Sequence, residues 1–440
     1  MSFFSKIFNR TKKDNLGYPD VKFGRFAKPS ENEELLDLKT QADELFESGQ
    51  YLDAYVTFFD YMQKLGGPAV LCEIDNDTND FIFKLLQGSK IVSGVINQTD
   101  ILVESKVAKF SGENIALMRY LLSQNTKFAY TKYAIDGDTI YLRQRCPIKD
   151  MSPQSFSDML SEIAICADST DEYLETEFAN IIPVDYENII PLDANELRTK
   201  IEFLRVWIKE SFELIEKCKF EKFKPYLLLA LVYKILYLIS PEGALLNRFR
   251  KILSIYSTYD KEEDNMNEVF YKMDKELHAI AELSDSELEK SLYRTYAVFP
   301  ELEYMTFAEM VDSVVELLRL PLKAAEANMD DEVVPLCEFI VGYHLNLHGM
   351  PDAASELLLI FWRTLNSEYF YGIGFTDTFY NETVQQLAQT RIAQEIERIN
   401  AKYSVIYPGF QFNLLAVDMS TLEDFAYTFL LEFKNLQIPE

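Results

Sequence analysis

The sequence predicts an α+β protein: a five-stranded, mainly antiparallel sheet with flanking helices, followed by a large all-α helical domain. Three observations predict it. Between Phe81 and Arg145 the chain offers five runs rich in β-branched and aromatic residues, separated by Gly, Asn and Asp. Helix starts and apolar stripes of helical period lie among and after those runs. From Asn195 onward the period is helical almost throughout.

Taken in order, residues 1–30 form a basic tail, with seven Lys/Arg against two Asp. Phe3, Phe4, Ile7 and Phe8 beside Lys6, Arg10, Lys12 and Lys13 make a short basic amphipathic segment. It admits two readings: weak contact with an anionic membrane surface through Phe3, Phe4, Phe8, Lys12 and Lys13, or a tail that folds back onto an acidic body. Residues 31–70 read as a helical hairpin. Leu45, Phe46, Gly49, Tyr51 and Ala54 fit the tetratricopeptide pattern around an inter-helix turn, and His344–Ala354 repeats the theme with Gly349 and Ala354. Such arrays need about three adjacent repeats to bury a continuous core, so each copy is expected to dock on other elements.

Residues 71–180 are expected to form the α+β domain. Phe81–Leu86, Ile91–Ile96 and Ile101–Phe110 read as consecutive strands. Ser111 is placed to cap a helix whose residues Ile115, Met118, Leu121 and Leu122 share one face. Lys127–Ile135 and Thr139–Arg145 flank Asp136-Gly137-Asp138, where glycine supplies the positive φ of a tight reversal. Ser152-Pro153 is an N-cap with proline at the first helical position, and Phe156, Met159, Leu160, Ile163 and Ala167 line one stripe. Residues 181–193, with two prolines and little period, read as a linker. In 194–440, helices are expected near 194–219, 224–239, 242–257, 263–282, 285–296, 306–327, 331–348, 352–367, 378–402 and 420–435.

Hydrophobic residues at 48% and charged residues at 26% describe a globular chain. The formal charge of −28 repels phosphate backbones, which argues against nucleic acid; it reads either as the ordinary acidic surface of a soluble chain or as a surface that favours basic partners. Cys72, Cys146, Cys166, Cys218 and Cys337 are scattered, as buried thiols in a reducing compartment would be. Tyr226–Ser240 is the longest apolar run, but it contains Lys234 and falls short of the ~18 residues of a membrane span. With no visible signal peptide, a cytoplasmic location is expected.

Candidate chemistry is sparse. His344 and His348 stand four apart on a helix, a spacing that puts two imidazoles on one metal, yet Leu345 occupies the place of the zincin glutamate. Asp75–Asp80 opens like a calcium loop but has Asp80 where the turn glycine belongs and Leu86 where a bidentate Glu belongs. There is no GxSxG elbow, no phosphate loop and no GxGxxG. No cofactor and no catalytic residue is assigned. Trp362, Tyr369, Phe370, Tyr371 and Phe375, with Phe379 and Tyr380, surround Gly372-Ile373-Gly374. These rings read either as a partner-binding pocket or as a plug in the helical core.

The order of elements over about residues 70–180 resembles the type III secretion chaperone-like fold, in particular its YbjN-type branch. The corresponding residues are Ile115–Asn125, Lys127–Arg145 and Ser152–Asp168. The resemblance implies a non-enzymatic protein-binding module, often dimeric, that holds an extended segment of a client. The added helical domain and basic tail depart from that pattern. The resulting expectation is an intracellular adaptor or chaperone-like protein that binds another protein. Two alternatives stay open: an enzyme with a dispersed, metal-dependent site in the helical domain, and an acidic inhibitor or immunity protein for a basic partner.

Overall fold

The computed structural model describes residues 19–25, 33–185, 188–259, 265–300, 302–303 and 305–438. Phe3, Phe4, Phe8, Lys12 and Lys13 lie outside the described residues. Among the described residues the chain divides into two compact units, the first holding 33–191 and 293–300, the second 19–25, 192–292 and 302–438.

In the first unit, α1 (Glu33–Glu47) and α2 (Tyr51–Gly66) form the expected hairpin, turned at Gly49 with φ 82°. The sheet follows: β1 (Val70–Ile74), β2 (Phe81–Gly88), β3 (Lys90–Ile96) and β4 (Asp100–Phe110). Then come α3 (Ile115–Gln124), β5 (Lys132–Asp136), β6 (Thr139–Pro147), α4 (Pro153–Glu177) and the short strands β7 (Ile181–Pro183), β8 (Ile190–Pro191), β9 (Tyr293–Arg294) and β10 (Tyr296–Ala297). The α+β class stands, but the sheet has eight strands rather than five, in the order β1-β2-β3-β4-β6-β5 with β10 on β2 and β7 on β4.

Of the three extra strands, β1 pairs with its neighbour β2, while β7 and β10 are short pieces whose partners are distant in sequence. Gln87 explains β10: its side chain donates to Phe299 O at 3.0 Å and accepts from the N–H groups of Val298 and Phe299, fixing a segment more than 200 residues away. Residues 285–296, expected as one helix, are therefore a single turn α9 (Asp285–Glu289) and then strand. The stretch expected as a linker supplies β7 and β8, so much of its backbone is hydrogen-bonded.

The hairpin turn is as expected, with Gly137 at φ 60° between paired Asp136 and Thr139. Ser152 caps α4, accepting from Ser155 N, and Phe156, Met159, Leu160, Ile163 and Ala167 are fully buried. They meet Phe59 and Phe83 on one face of the sheet, each ring contributing roughly 1.5–3 kcal/mol on burial. Two details of α3 differ. Asn114 rather than Ser111 is its cap, because the chain becomes helical only after Asn114, whose side chain accepts from Leu117 N. The helix buries Leu117 and Leu121 and leaves Ile115 and Leu122 exposed, so the buried stripe runs along a different face from the one expected.

The second unit is helical: α5 (Ala194–Lys217), α6 (Lys224–Lys234), α7 (Gly243–Ser257), α8 (Met266–Ala281), α10 (Phe307–Leu317), α11 (Arg319–Glu326), α12 (Asp330–Leu347), α13 (Asp352–Leu365) and α14 (Ser367–Gly372). The hairpin β11 (Tyr380–Asn381) and β12 (Gln386–Leu387) then precedes α15 (Gln389–Tyr403) and α16 (Leu422–Phe433). The helix expected over 378–402 thus begins only at Gln389. Among the described residues no helix is long and apolar enough to cross a membrane. The apolar run at 226–240 is α6 followed by a π-helical turn, Ile235–Ile239, and Lys234 pairs with Glu338 at 2.7 Å.

Candidate functional site

A cleft of about 950 Å³ opens in the helical unit, between the first turns of α5 and the segment running from α14 through the β11–β12 hairpin. Local sequence explains why these pieces meet. Asp193 caps α5 by accepting from Asn195 N at 2.8 Å. Asn195 Nδ2 and Thr199 Oγ1 then both donate to Gly372 O, at 2.7 and 3.2 Å, tying α5 to the end of α14. A Cβ at position 372 would lie 2.7 Å from Thr199 Cγ2, so only glycine permits that approach. Ser367 Oγ accepts from Tyr380 N at 3.0 Å, and Asn381 Oδ1 accepts from Thr383 N and Val384 N, which sets the far wall.

The aromatic residues singled out in the sequence build the floor. Trp362, Tyr369, Phe370 and Phe375 are buried, and Tyr371 alone of the five is exposed, at 66%. Tyr369 donates its hydroxyl to Leu238 O at 2.6 Å and packs on Trp207. Arg363 is sandwiched under the loop, 4.1 Å from the Phe379 ring centroid and 5.0 Å from that of Phe375. The core-plug reading therefore describes four of these rings, while Tyr371 and one edge of Phe375 line the cleft.

The cleft's charges were not legible beforehand. Glu202, Glu368 and Glu382 line it together with Arg198, whose Nη2 donates to Asn195 Oδ1 at 2.7 Å. Among the described residues, none of the three carboxylates has a cation within ion-pair distance. Glu382 is held above the usual carboxylate value, first by burial and then by the adjacent, hydrogen-bonded Glu368. Tyr380 is pushed up by burial and by Glu423 and Glu382. No signal in the sequence brings Glu202 to Glu368, since they lie on separate helices far apart in the chain.

The histidine pair is committed elsewhere. His344 is fully buried; its Nδ1 lies 2.7 Å from Ile340 O and its Nε2 lies 3.0 Å from Ser313 Oγ. Burial lowers its pKa to about 4. His348 Nδ1 lies 3.2 Å from Glu303 O. With both nitrogens of His344 engaged, the pair does not fit a metal, and no group of three ligating side chains occurs among the described residues. In the Asp75 loop, Asp75 Oδ1 accepts from Asp77 N and Thr78 N, an ordinary turn.

The sheet unit carries a second charged cluster of a different kind. Lys90 is fully buried and its Nζ reaches Asp171 Oδ2 at 2.7 Å, Val107 O at 2.9 Å and Val184 O at 3.0 Å. Ser89 donates to both Asp168 and Asp171, and Asn188 Nδ2 donates to Gly88 O and Lys90 O. Every charge there has a counter-charge or a hydrogen-bond partner. Compared with known proteins, the chain matches no family model and no curated protein sequence.

Proposed function

We propose that this chain is a non-enzymatic adaptor or chaperone-like protein that binds another protein, and that the cleft receives a basic segment of that partner. The observation that carries the reading is the set of three cleft carboxylates without a cation beside an exposed tyrosine. A lysine or arginine side chain entering there would meet the carboxylates of Glu202, Glu368 and Glu382 and lie within reach of the Tyr371 ring. The net charge of −28 would draw such a segment in from a distance. The element order of the sheet unit supports the chaperone-like part of this reading, and a protein-binding cytoplasmic chain fits it.

The test uses the full chain and a fluorescent decapeptide of alternating Lys, Arg and Tyr. Expected are saturable binding that weakens as salt is raised, and a loss of at least tenfold in affinity in the variant Glu368→Gln/Glu382→Gln. Equal affinity for an uncharged peptide, or an unchanged affinity in the double variant, would overturn the proposal.

A further inference from the structure

The main path of the sheet ends in β1 and β5, and the two are finished differently. At β5 the outward position Tyr133 is closed: Tyr133 N donates to Asn125 Oδ1 at 2.6 Å and Asn125 Nδ2 donates to Tyr133 O at 3.4 Å. The Asn125 side chain stands in for a neighbouring strand. At β1 nothing comparable is found among the described residues.

The register decides which groups of β1 face outward. In an antiparallel pair, hydrogen-bonded positions alternate with positions whose N–H and C=O point away. Asp75 N donates to Asp80 O at the hairpin mouth, so Glu73 and Leu71 are the inward positions, opposite Ile82 and Lys84. Val70, Cys72 and Ile74 point away from β2. Val70 is satisfied locally, its N–H by Gly67 O and its carbonyl by Gln63 Nε2 at 3.5 Å. Among the described residues, the two N–H groups and two carbonyls of Cys72 and Ile74 find no partner. Ile74 is 50% exposed, an apolar side chain on an open edge.

Carboxylates flank this edge on both sides. Glu73 is exposed on the uncovered face of the sheet, the Cys72 thiol is pushed up first by burial and then by Asp60 of α2, and the exposed Asp77 stands in the loop that follows. A shallow depression of about 200 Å³ lined by Leu71, Cys72, Glu73 and Lys84 adjoins the strand. An incoming strand would set one row of side chains beside Cys72 and Ile74 and the other beside Glu73. We infer that the β1 edge at Cys72–Ile74 is a docking site for an extended segment of another protein in which apolar residues alternate with Lys or Arg. It adds that segment to the sheet through main-chain hydrogen bonds, with the apolar row beside Cys72 and Ile74 and the basic row beside Glu73. This surface is separate from the cleft and does not depend on it.

The experiment uses the full chain carrying Glu368→Gln/Glu382→Gln, so that the cleft does not contribute. The probe is a fluorescein-labelled heptapeptide of alternating Val and Lys, followed by anisotropy and by amide hydrogen exchange. Saturable binding is expected, with exchange at Cys72 and Ile74 slowed at least tenfold. Cys72→Pro removes only an outward N–H and should weaken binding tenfold or more, as should the charge reversal Glu73→Lys. Should Cys72→Pro not fold, Glu73→Lys and the exchange measurement still decide. Binding unchanged in Glu73→Lys, exchange unchanged at both amides, or equal affinity for an alternating Val and Glu peptide would each overturn the inference. So would self-association of the chain through β1 that excludes the probe, or binding seen only after residues 1–13 are removed.

Discussion

The Lys90 cluster of the sheet unit and the carboxylates of the helical cleft are both concentrations of charge, and they are built in opposite ways. Around Lys90 each charged group finds a partner: Lys90 a carboxylate and two carbonyls, Asp168 and Asp171 the backbone and side chain of Ser89. In the cleft, among the described residues, Glu202, Glu368 and Glu382 have no cation within ion-pair distance, and Glu382 keeps its proton longer than a free carboxyl would. A closed cluster holds a fold together, because removing one member strands the rest away from water. An open cluster carries electrostatic strain that the fold tolerates and that a ligand relieves. Here the closed cluster is structural, and the open one is where binding is proposed.

The sharpest way to break the comparison is Lys90→Met. It leaves Asp171 buried without its counter-charge and should cost about 3–5 kcal/mol in urea unfolding of the sheet unit. A loss below 1 kcal/mol would mean that the cluster is not closed in the sense described. Next is pH. His344 is neutral in the fold with its pKa lowered to about 4, whereas in the unfolded chain it titrates near 6.5. The unfolded state therefore takes up the proton first, and stability present above pH 6.5 is lost as pH falls towards 4. The loss should reach about 3 kcal/mol and vanish in His344→Gln, read from urea midpoints across that range.

Gly88→Ala should cost about 1–3 kcal/mol, since φ is +55° and the new Cβ would stand 1.7 Å from Asp168 Oδ1. Tyr369→Phe deletes one buried hydrogen bond to Leu238 O and should cost about 1 kcal/mol by thermal unfolding. The smallest expected effect has the opposite sign. Glu382 has its pKa raised above the ordinary 4.5, so the folded state holds the extra proton and stability falls as pH rises through the range just above that value. Glu382→Gln should flatten that slope and leave the melting temperature equal or slightly higher. A clear drop in melting temperature would make the cleft carboxylates structural and erase the contrast.

Local signals in the sequence were read well where the physics was local. Gly137 reverses the hairpin, Ser152 with Pro153 starts α4, and the stripe from Phe156 to Ala167 is buried throughout. Lys234 marks the long apolar run as a helix with a buried ion pair. Errors arose where a short piece takes its structure from a distant partner. Tyr296-Ala297 is strand because Gln87 holds the residues after it, and Ile181–Pro183 is strand because β4 runs past β3. Residues 380–387 turn back as a hairpin instead of starting α15 early. On α3 the apolar residues outnumber the places available to bury them, so period alone chose the wrong face.

By itself, then, the amino-acid order determined the class of the fold, its main helices and strands, and a strongly acidic net charge. Those follow from periodicity, capping and charge, which act within a few residues or through composition. Only the tertiary structure decided that the aromatic loop at 369–375 is mostly floor, that Glu368 and Glu382 share a cleft with Glu202, and that Lys90 is closed while the β1 edge is open. Whether a charge meets a counter-charge, or a strand a neighbour, is fixed by residues far apart in the chain that meet only once it has folded.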